Sequence, residues 1–289
     1  MMAYPRARIE EYGYKDYTVW KKIFNIVKLV MVILIIIALY LPLVLIAIQS
    51  VNSSTQLNVF DSFTLSWYTK IFSHPTLAPA IKNTLIISVG ATVLSTVLGT
   101  FVAIGINSLE TKKRQRLLLL NNIPLLNADI VTGISLMLVF SLLINIYPYI
   151  FGFPTLILAH LFFTFPYVIL SVLPKLKEID PNLMDAALDL GVKPYRALLK
   201  VIIPAIKAGI FSGMLLAFTM SIDDFVVSYF TTGNGFDNLS IWIYASIGRR
   251  SLTPAVYAFS TLLTLFTLGL LLLFNFISHR KGKNKNEKN

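Results

Sequence analysis

The chain has 289 residues, of which 56% are apolar and 13% charged, and a formal net charge of +11. Soluble domains carry about 25% charged residues, so this balance excludes an ordinary soluble domain and indicates a membrane protein. There is no cysteine, which excludes disulfides and thiolate chemistry. The excess of basic residues does not indicate nucleic acid, because Lys and Arg cluster beside apolar spans and not on one polar domain.

In chain order, residues 1–22 form a polar N-terminal segment. The apolar run after Lys22 is longer than the roughly 7–15 residues of a cleavable signal core. Spanning a bilayer takes about 20 apolar residues, and six stretches meet that need. They are Ile23–Ile48, Ile81–Ile106, Leu117–Ile146, Phe151–Leu173, Ala205–Thr231 and Pro254–Ser278. The fold expected is all-α and polytopic, with one transmembrane domain over 23–278. Pro124, Pro148, Pro154 and Pro166 punctuate the third and fourth spans, as membrane helices tolerate. The basic tail 279–289 is expected to be disordered, lying against anionic lipid or serving only as a solvated flank.

Orientation follows from the cationic residues. All but four of the 25 Lys and Arg lie on one side of the six-span arrangement, the exceptions being Lys70, Lys82, Arg249 and Arg250. Both termini are therefore expected in the cytoplasm. So are the basic turn Lys112-Lys113-Arg114 and the polar island 174–204. The loops Gln49–Ala80, Tyr147–Ile150 and Thr232–Thr253 are expected outside.

Within the island, Asp185-Ala186-Ala187 is followed by three residues, Gly191, nine residues and Val201-Ile202-Ile203-Pro204. Asp185–Leu190 suits a short helix, with Asp180 or Asn182 as its cap, and Gly191 suits the turn that ends it. Tyr195–Val201 suits a second helix behind Pro194. Leu190, Val192 and Tyr195 would then face a groove on another protein. The plainer alternative is an interfacial amphipathic helix. The spacing resembles the EAA loop of ABC-importer membrane subunits. That resemblance implies docking on a separate ATPase through Asp185, Ala186, Ala187, Gly191, Val192 and Tyr195. No G-x-x-x-x-G-K-[ST] phosphate loop, metal cluster or G-x-S-x-G turn occurs. The chain is thus expected to be no enzyme and to carry no cofactor, with ATP and Mg on the partner.

Three acids fall inside apolar spans, where ionisable groups are costly and usually functional. Asp129 lies about twelve residues into the third span, roughly 18 Å along an unbroken helix and near the midplane. Asp223 and Asp224 lie about 28 Å along the fifth span from Pro204. No Lys or Arg within the spans is available to neutralise them, whereas a cationic substrate would. Ala205, Gly209, Gly213, Ala217 and Ser221 recur every fourth residue, a small-residue stripe that lets a helix approach closely. On a continuous helix Asp224 lies near that face. The stripe is read as facing a partner helix, or else as packing inside the bundle with the acids bonded to Ser and Thr. His160 reads as a packed or gating residue.

Ala217-Phe218-Thr219-Met220-Ser221-Ile222-Asp223-Asp224-Phe225-Val226-Val227-Ser228, with Phe230-Thr231-Thr232-Gly233, resembles the signature of polyamine permeases. Asp129-Ile130-Val131 resembles their Pro-Asp-Ile-Val, with Ala128 in place of Pro. Leu65-Ser66-Trp67-Tyr68 resembles their external aromatic segment. The resemblance implies a type I ABC importer permease forming half of a pathway for spermidine or putrescine. Its implied partners are a homologous second permease, two ATPases and an extracellular polyamine-binding protein. Ser221, Asp129, Asp223 and Asp224 would line the pathway. Trp67, Tyr229, Trp242 or Tyr244 would supply cation–π contacts or serve as interfacial anchors. The alternatives are an ABC permease for another small solute and an ion-coupled secondary transporter. The second leaves the EAA-like spacing unexplained.

Overall fold

The structure is a computed structural model and describes residues 6–55, 59–233, 235–248 and 253–286. Arg249 and Arg250, which entered the orientation argument, lie outside the described residues, as do Met1–Pro5. The described residues are overwhelmingly helical, with one isolated β-bridge between Asn52 and Phe63. The chain divides into two compact units, residues 1–72 with 253–289, and residues 73–252.

In the first unit α1 (Arg6–Ser50) packs along α13 (Ala255–Asn286). The helix begins well before the expected first span. The helix α13 continues into the tail expected to be disordered, as far as Asn286. From Val19 to Leu45 the large apolar side chains of α1 are exposed, as befits a helix whose solvent is hydrocarbon. The loop after α1 is organised by buried Asn52. Its amide donates to the carbonyl of Val59 (2.7 Å) and to Gln49 Oε1 (2.9 Å), and its Oδ1 accepts the backbone N–H groups of Ser54 and Asp61 (3.1 Å each). The loop leads into α2 (Ser66–Ser73).

The second unit is built on α3 (Leu77–Asn107), α6 (Phe153–Glu178) and α10 (Lys207–Ile222), which pack on one another. Their polarity is inverted relative to a soluble bundle. Leu85, Val89, Val93, Val97 and Phe101 of α3 point outward, while Ser88, Thr92, Ser95, Gly99 and Thr100 are buried. Small and hydroxylated residues inside, large apolar ones outside, is the pattern of membrane helix packing.

The small-residue stripe closes this packing from within the chain. A side-chain carbon added at Gly213 would lie 3.0 Å from Val168 Cα, and one at Gly209 would lie 2.9 Å from the Ser171 carbonyl, both on α6. On α3, one at Gly99 would lie 2.8 Å from Val168 Cγ1. The partner helix is therefore α6 of the same chain, and the internal-packing alternative describes the stripe. Ala205 does not belong to it, because the helix breaks at Ile206.

By length and composition, three described helices are fit to cross a membrane: Val19–Ser50, Leu77–Asn107 and Phe153–Glu178. Two further crossings expected as single helices are bent pairs. The third span divides into α4 (Thr111–Leu126) and α5 (Asp129–Leu143), bent by 103°. The expected fifth span, Ala205–Thr231, divides into more pieces. Before it, α7 (Leu183–Asp189), α8 (Pro194–Ala197), a π-helical turn (Leu198–Ile202) and α9 (Ile203–Ala205) lead to a 73° bend into α10. Beyond α10 the chain breaks again before α11 (Val226–Thr231). The loop expected at Thr232–Thr253 contains α12 (Leu239–Gly248), whose apolar sequence is too short to span. A shorter apolar stretch, Ala255–Gly269, opens α13.

Candidate functional site

The expectation of a continuous fifth span, with both acids on its wall, is corrected. The helix α10 stops at Ile222, and Asp223 is its C-cap. A carboxylate at a helix C-terminus adds to the negative end of the dipole, a placement worth roughly 0.3–1 kcal/mol against folding when exposed. Asp223 is exposed and, among the described residues, has no ion-pair partner. This end of α10 is therefore electronegative through both its side chain and its last carbonyls.

Asp224 faces the other way along the chain and caps α11. Its Oδ2 accepts the backbone N–H of Ser228 at 2.7 Å, and its Oδ1 that of Val227 at 3.4 Å. Such a cap satisfies two of the donors that open every helix. The Asp224 carbonyl in turn accepts from the Asn238 amide at 3.3 Å, and Asn238 Oδ1 accepts the Ile241 N–H at 2.9 Å, opening α12. At the far end of α11, Thr155 Oγ1 donates to the Thr231 carbonyl at 2.7 Å. Besides its packing on neighbouring helices, this six-residue helix is thus held by side chains from α6 and from the start of α12.

Beneath the break lies His160 of α6, almost fully buried. Its Nδ1 is 2.6 Å from Ser221 Oγ on α10, and its Nε2 is 2.9 Å from Ser228 Oγ on α11. Asp224 Oδ2 is 3.8 Å from Nε2. One turn further along α6, Thr164 meets Ser95 of α3 at 2.5 Å. A reading of the sequence could place His160 in a span but not between two serines 61 and 68 residues away. Asp224, followed by an apolar run, did carry the signal of a helix cap.

Asp129 is the first residue of α5, where a carboxylate suits the dipole. It sits at a break, not twelve residues into a helix. Ala128 has φ −64° and ψ 138°, the conformation that proline would impose. The break therefore persists without the proline. The helix α5 packs on α11, closely enough that a side-chain carbon at Gly133 would lie 2.9 Å from Phe230.

The aromatic candidates separate. Tyr244 of α12 joins Tyr229 and Phe225 in a three-ring cluster with centroids 4.9–5.8 Å apart. Phe225 was missing from the expected set. Trp242 turns to another neighbour, donating from Nε1 to Thr76 Oγ1 at 3.0 Å and stacking edge-on with His74. Trp67, in the first unit, donates to the Asn52 carbonyl at 2.7 Å and carries Lys70 over its ring at 4.4 Å.

The polar island folds as a separate exposed element. Leu190 caps α7 and Gly191 follows with φ +78°. The Val192 N–H reaches the Ala187 carbonyl at 3.1 Å and the Gly191 N–H that of Leu188 at 2.8 Å, the paired bonds of a Schellman turn. The expected side-chain cap at Asn182 is absent. Asp180 instead accepts the Asn182 N–H at 2.9 Å. The second helix is shorter than expected, because Leu198–Ile202 is π-helical. Ala187 and Ala197 are buried, and Leu183, Met184 and Leu198 pack on the core of the second unit. Asp185 and Ala186 are exposed, Val192 is half-buried, and Leu190 and Tyr195 are 84% and 55% exposed. The loop is anchored by one face and presents the other.

Residues 118–283 match the family described as binding-protein-dependent transport system inner membrane component. The chain belongs to this family. It is a multi-pass membrane permease, a transport component and not an enzyme. It is 31% identical over 245 residues to the spermidine/putrescine transport system permease protein PotC of Haemophilus influenzae, covering 84% of this chain and 93% of that protein. Identity to the Escherichia coli K12 protein of the same name is 30%, covering 85% and 91%. Identity to the putrescine transport system permease protein PotI of Escherichia coli K12 is 31%, covering 78% and 81%. The fold also matches a bacterial ABC transporter involved in the import of alginate, with a TM-score of 0.66 over 94% of this chain and 99% of that one. At 16% identity that likeness concerns the fold alone.

The cap makes the first test. Asp224→Asn keeps an oxygen to accept the α11 donors, whereas Asp224→Ala removes it. In the purified permease, Ala is expected to lower stability by ~1 kcal/mol, the usual cost of a lost N-cap, and Asn by much less. Thermal unfolding followed by circular dichroism checks this. Equal stability of the two variants would show that the cap is not holding α11.

Proposed function

We propose that this permease forms half of the translocation pathway of an ATP-driven ABC importer for polyamines of the spermidine and putrescine type. One observation carries the substrate class. An exposed acid, Asp223, sits at the electronegative end of α10 without a cationic partner among the described residues, and Asp224 and the Phe225–Tyr229–Tyr244 rings follow it. Polyamines offer ammonium groups separated by short alkyl chains. Carboxylates meet the charges, and aromatic faces add cation–π attraction. The relatives' names agree with this chemistry. Asp129, one bend away on α5, is a further station. Ser221 lies beneath the break. Trp242 and Trp67, whose N–H groups are already engaged, serve as anchors in this reading.

The partners proposed are a homologous second permease, two ATPases that bind ATP and Mg, and an extracellular polyamine-binding protein. The loop 174–204 docks on an ATPase through Leu190, Tyr195 and the exposed Asp185-Ala186 edge. The three long helices, the two bent pairs and α13 make six crossings, with both termini cytoplasmic. Orientation rests on the cationic asymmetry. A cysteine replacing Ser62 is expected to react with an impermeant maleimide added outside, and one replacing Asn284 is not. The reverse pattern would overturn the orientation and the docking together.

Transport itself is tested in proteoliposomes holding the complete complex, with ATP inside and the binding protein outside. Labelled putrescine or spermidine is expected to accumulate. Substituting both Asp223→Asn and Asp224→Asn is expected to cut uptake by about 10- to 100-fold, as loss of charge-assisted bonds of 1.5–3 kcal/mol implies. The complex should still assemble. Full uptake by that variant would remove the acids from the pathway. Uptake of some other solute, but of neither polyamine, would overturn the substrate class.

Gly191 tests the docking. Open space surrounds a side chain there, so the obstacle is the left-handed backbone and not a clash. A β-branched residue in that conformation costs about 1–2 kcal/mol, while Asn tolerates it. Gly191→Val is expected to lose the ATPase on co-purification and Gly191→Asn to retain most of it. Retention by the Val variant would show that the turn is dispensable for docking.

A further inference from the structure

The geometry points to His160 as a positioning residue that staples α10 to α11 across their break and thereby fixes the Asp224 carboxylate. Three observations meet there. His160 is 1% exposed, and both ring nitrogens are engaged, by Ser221 Oγ at 2.6 Å and by Ser228 Oγ at 2.9 Å. The two serines belong to different helices, the last turn of α10 and the first turn of α11. Ser228 is also the residue whose backbone N–H is held by Asp224 at 2.7 Å. The link thus runs from α6 through imidazole, hydroxyl and backbone amide to the carboxylate.

The chemistry explains the residue type. The imidazole ring is rigid, and its two nitrogens lie on opposite sides. In the neutral ring one nitrogen donates and the other accepts. It can therefore bridge two hydroxyls on separate elements without carrying charge into a buried site. A hydroxyl can both donate and accept, so either tautomer completes the bridge. Without the bridge, α11 would keep its packing on α5 and its bonds to Asp224 and Thr155, but its first turn would lose the tie to α10.

The positioning role separates from simple filling of space by atom-specific rescue. Gln places an amide near the Nε2 position and can keep the Ser228 arm. Asn reaches only the Nδ1 position and the Ser221 arm. Phe fills the volume and keeps neither. The chain lacks cysteine, so Val227→Cys, at a buried position of the first turn of α11, gives a clean reporter of that turn. The thiol's reaction rate with N-ethylmaleimide is measured in the assembled complex without substrate. His160→Phe and His160→Asn are expected to raise the rate about tenfold, as loss of roughly one net hydrogen bond opens a local unit. His160→Gln should stay within about twofold of the parent. Ser228→Ala should match His160→Phe, and the two together should add little more. Equal rates for all variants would overturn the proposal. So would a rise with Gln as large as with Phe, which would make His160 a packing residue only. Should the Phe variant fail to assemble, the Gln, Asn and Ser228→Ala comparison decides the matter alone.

The consequence for transport rests on the polyamine reading. With Asp224 released, the putrescine concentration for half-maximal uptake should rise about tenfold in His160→Asn and stay near the parent value in His160→Gln. An unchanged half-maximal concentration in the Asn variant, beside a raised thiol rate, would confine His160 to holding the helix. If the parent complex takes up no polyamine, the substrate reading fails while the thiol result stands on its own.

Discussion

A helix that stops among apolar neighbours leaves donors and acceptors that must be satisfied at once, because hydrocarbon offers none. The break at Asp223–Phe225 is the place where this constraint is most severe, and much of the second unit is arranged to meet it. Asp224 takes the α11 donors, Thr155 supplies a donor to its last turn, and Asn238 joins the Asp224 carbonyl to α12. His160 bridges the helix ends from below. Of the adjacent pair, Asp223 is left outside these bonds. It adds negative charge where the α10 carbonyls already end, an arrangement that costs stability. Two adjacent carboxylates that look equivalent in the sequence thus differ in the structure, Asp224 bonded to α11 and Asp223 exposed at the end of α10.

The bundle beneath the break depends on close approach and not on bulk. Val168 of α6 lies against both Gly99 of α3 and Gly213 of α10. Bringing the helices this near requires small residues such as Gly99, Gly209 and Gly213 at the closest contacts, and Ser and Thr are buried on α3 alongside them. Ser221 shows how such a position acquires a further use. It ends the small stripe that seats α10 on α6, and its hydroxyl reaches His160 across the contact. The stripe's periodicity was legible, but which helix it meets was not. A row of small residues fits any helix that can come close, and only the tertiary fold selects α6.

The same limit explains what else the sequence concealed. Apolar composition locates α1, α3 and α6 well, because length and hydropathy alone decide them. It runs unchanged through the breaks at Asn127–Ala128 and Asp223–Phe225, so both bent segments read as single spans. Ala128 shows why the motif was incomplete evidence: the backbone adopts proline's conformation without proline. In the polar loop, by contrast, Gly191 was decisive. Its position after Leu190 foretold the left-handed turn, since few other residues adopt φ +78° at low cost. The π-helical turn at Leu198–Ile202 had no such marker. The helix α12 was hidden because its apolar sequence is too short for a span and lies in a stretch read as an external loop.

Residues 183–231 form one uninterrupted path from the exposed loop to the acid pair. It consists of the Schellman turn, the π-helical turn, the 73° bend at Ile206, the α10 rod and the break before α11. Ile206 is fully buried among Leu173, Leu176 and Ile202, so the bend is packed and not loose. At 1.5 Å per residue, α10 is about 24 Å long. It makes a stiff element between two places where the backbone already departs from a straight helix. Coupling between distant sites requires an element that both sites bias and that has more than one arrangement. The rod has a packed bend at one end and a side-chain-stapled joint at the other. At the joint, the direction of α11 is fixed by the bonds of Asp224, His160 and Thr155 together with the packing of α11 on α5.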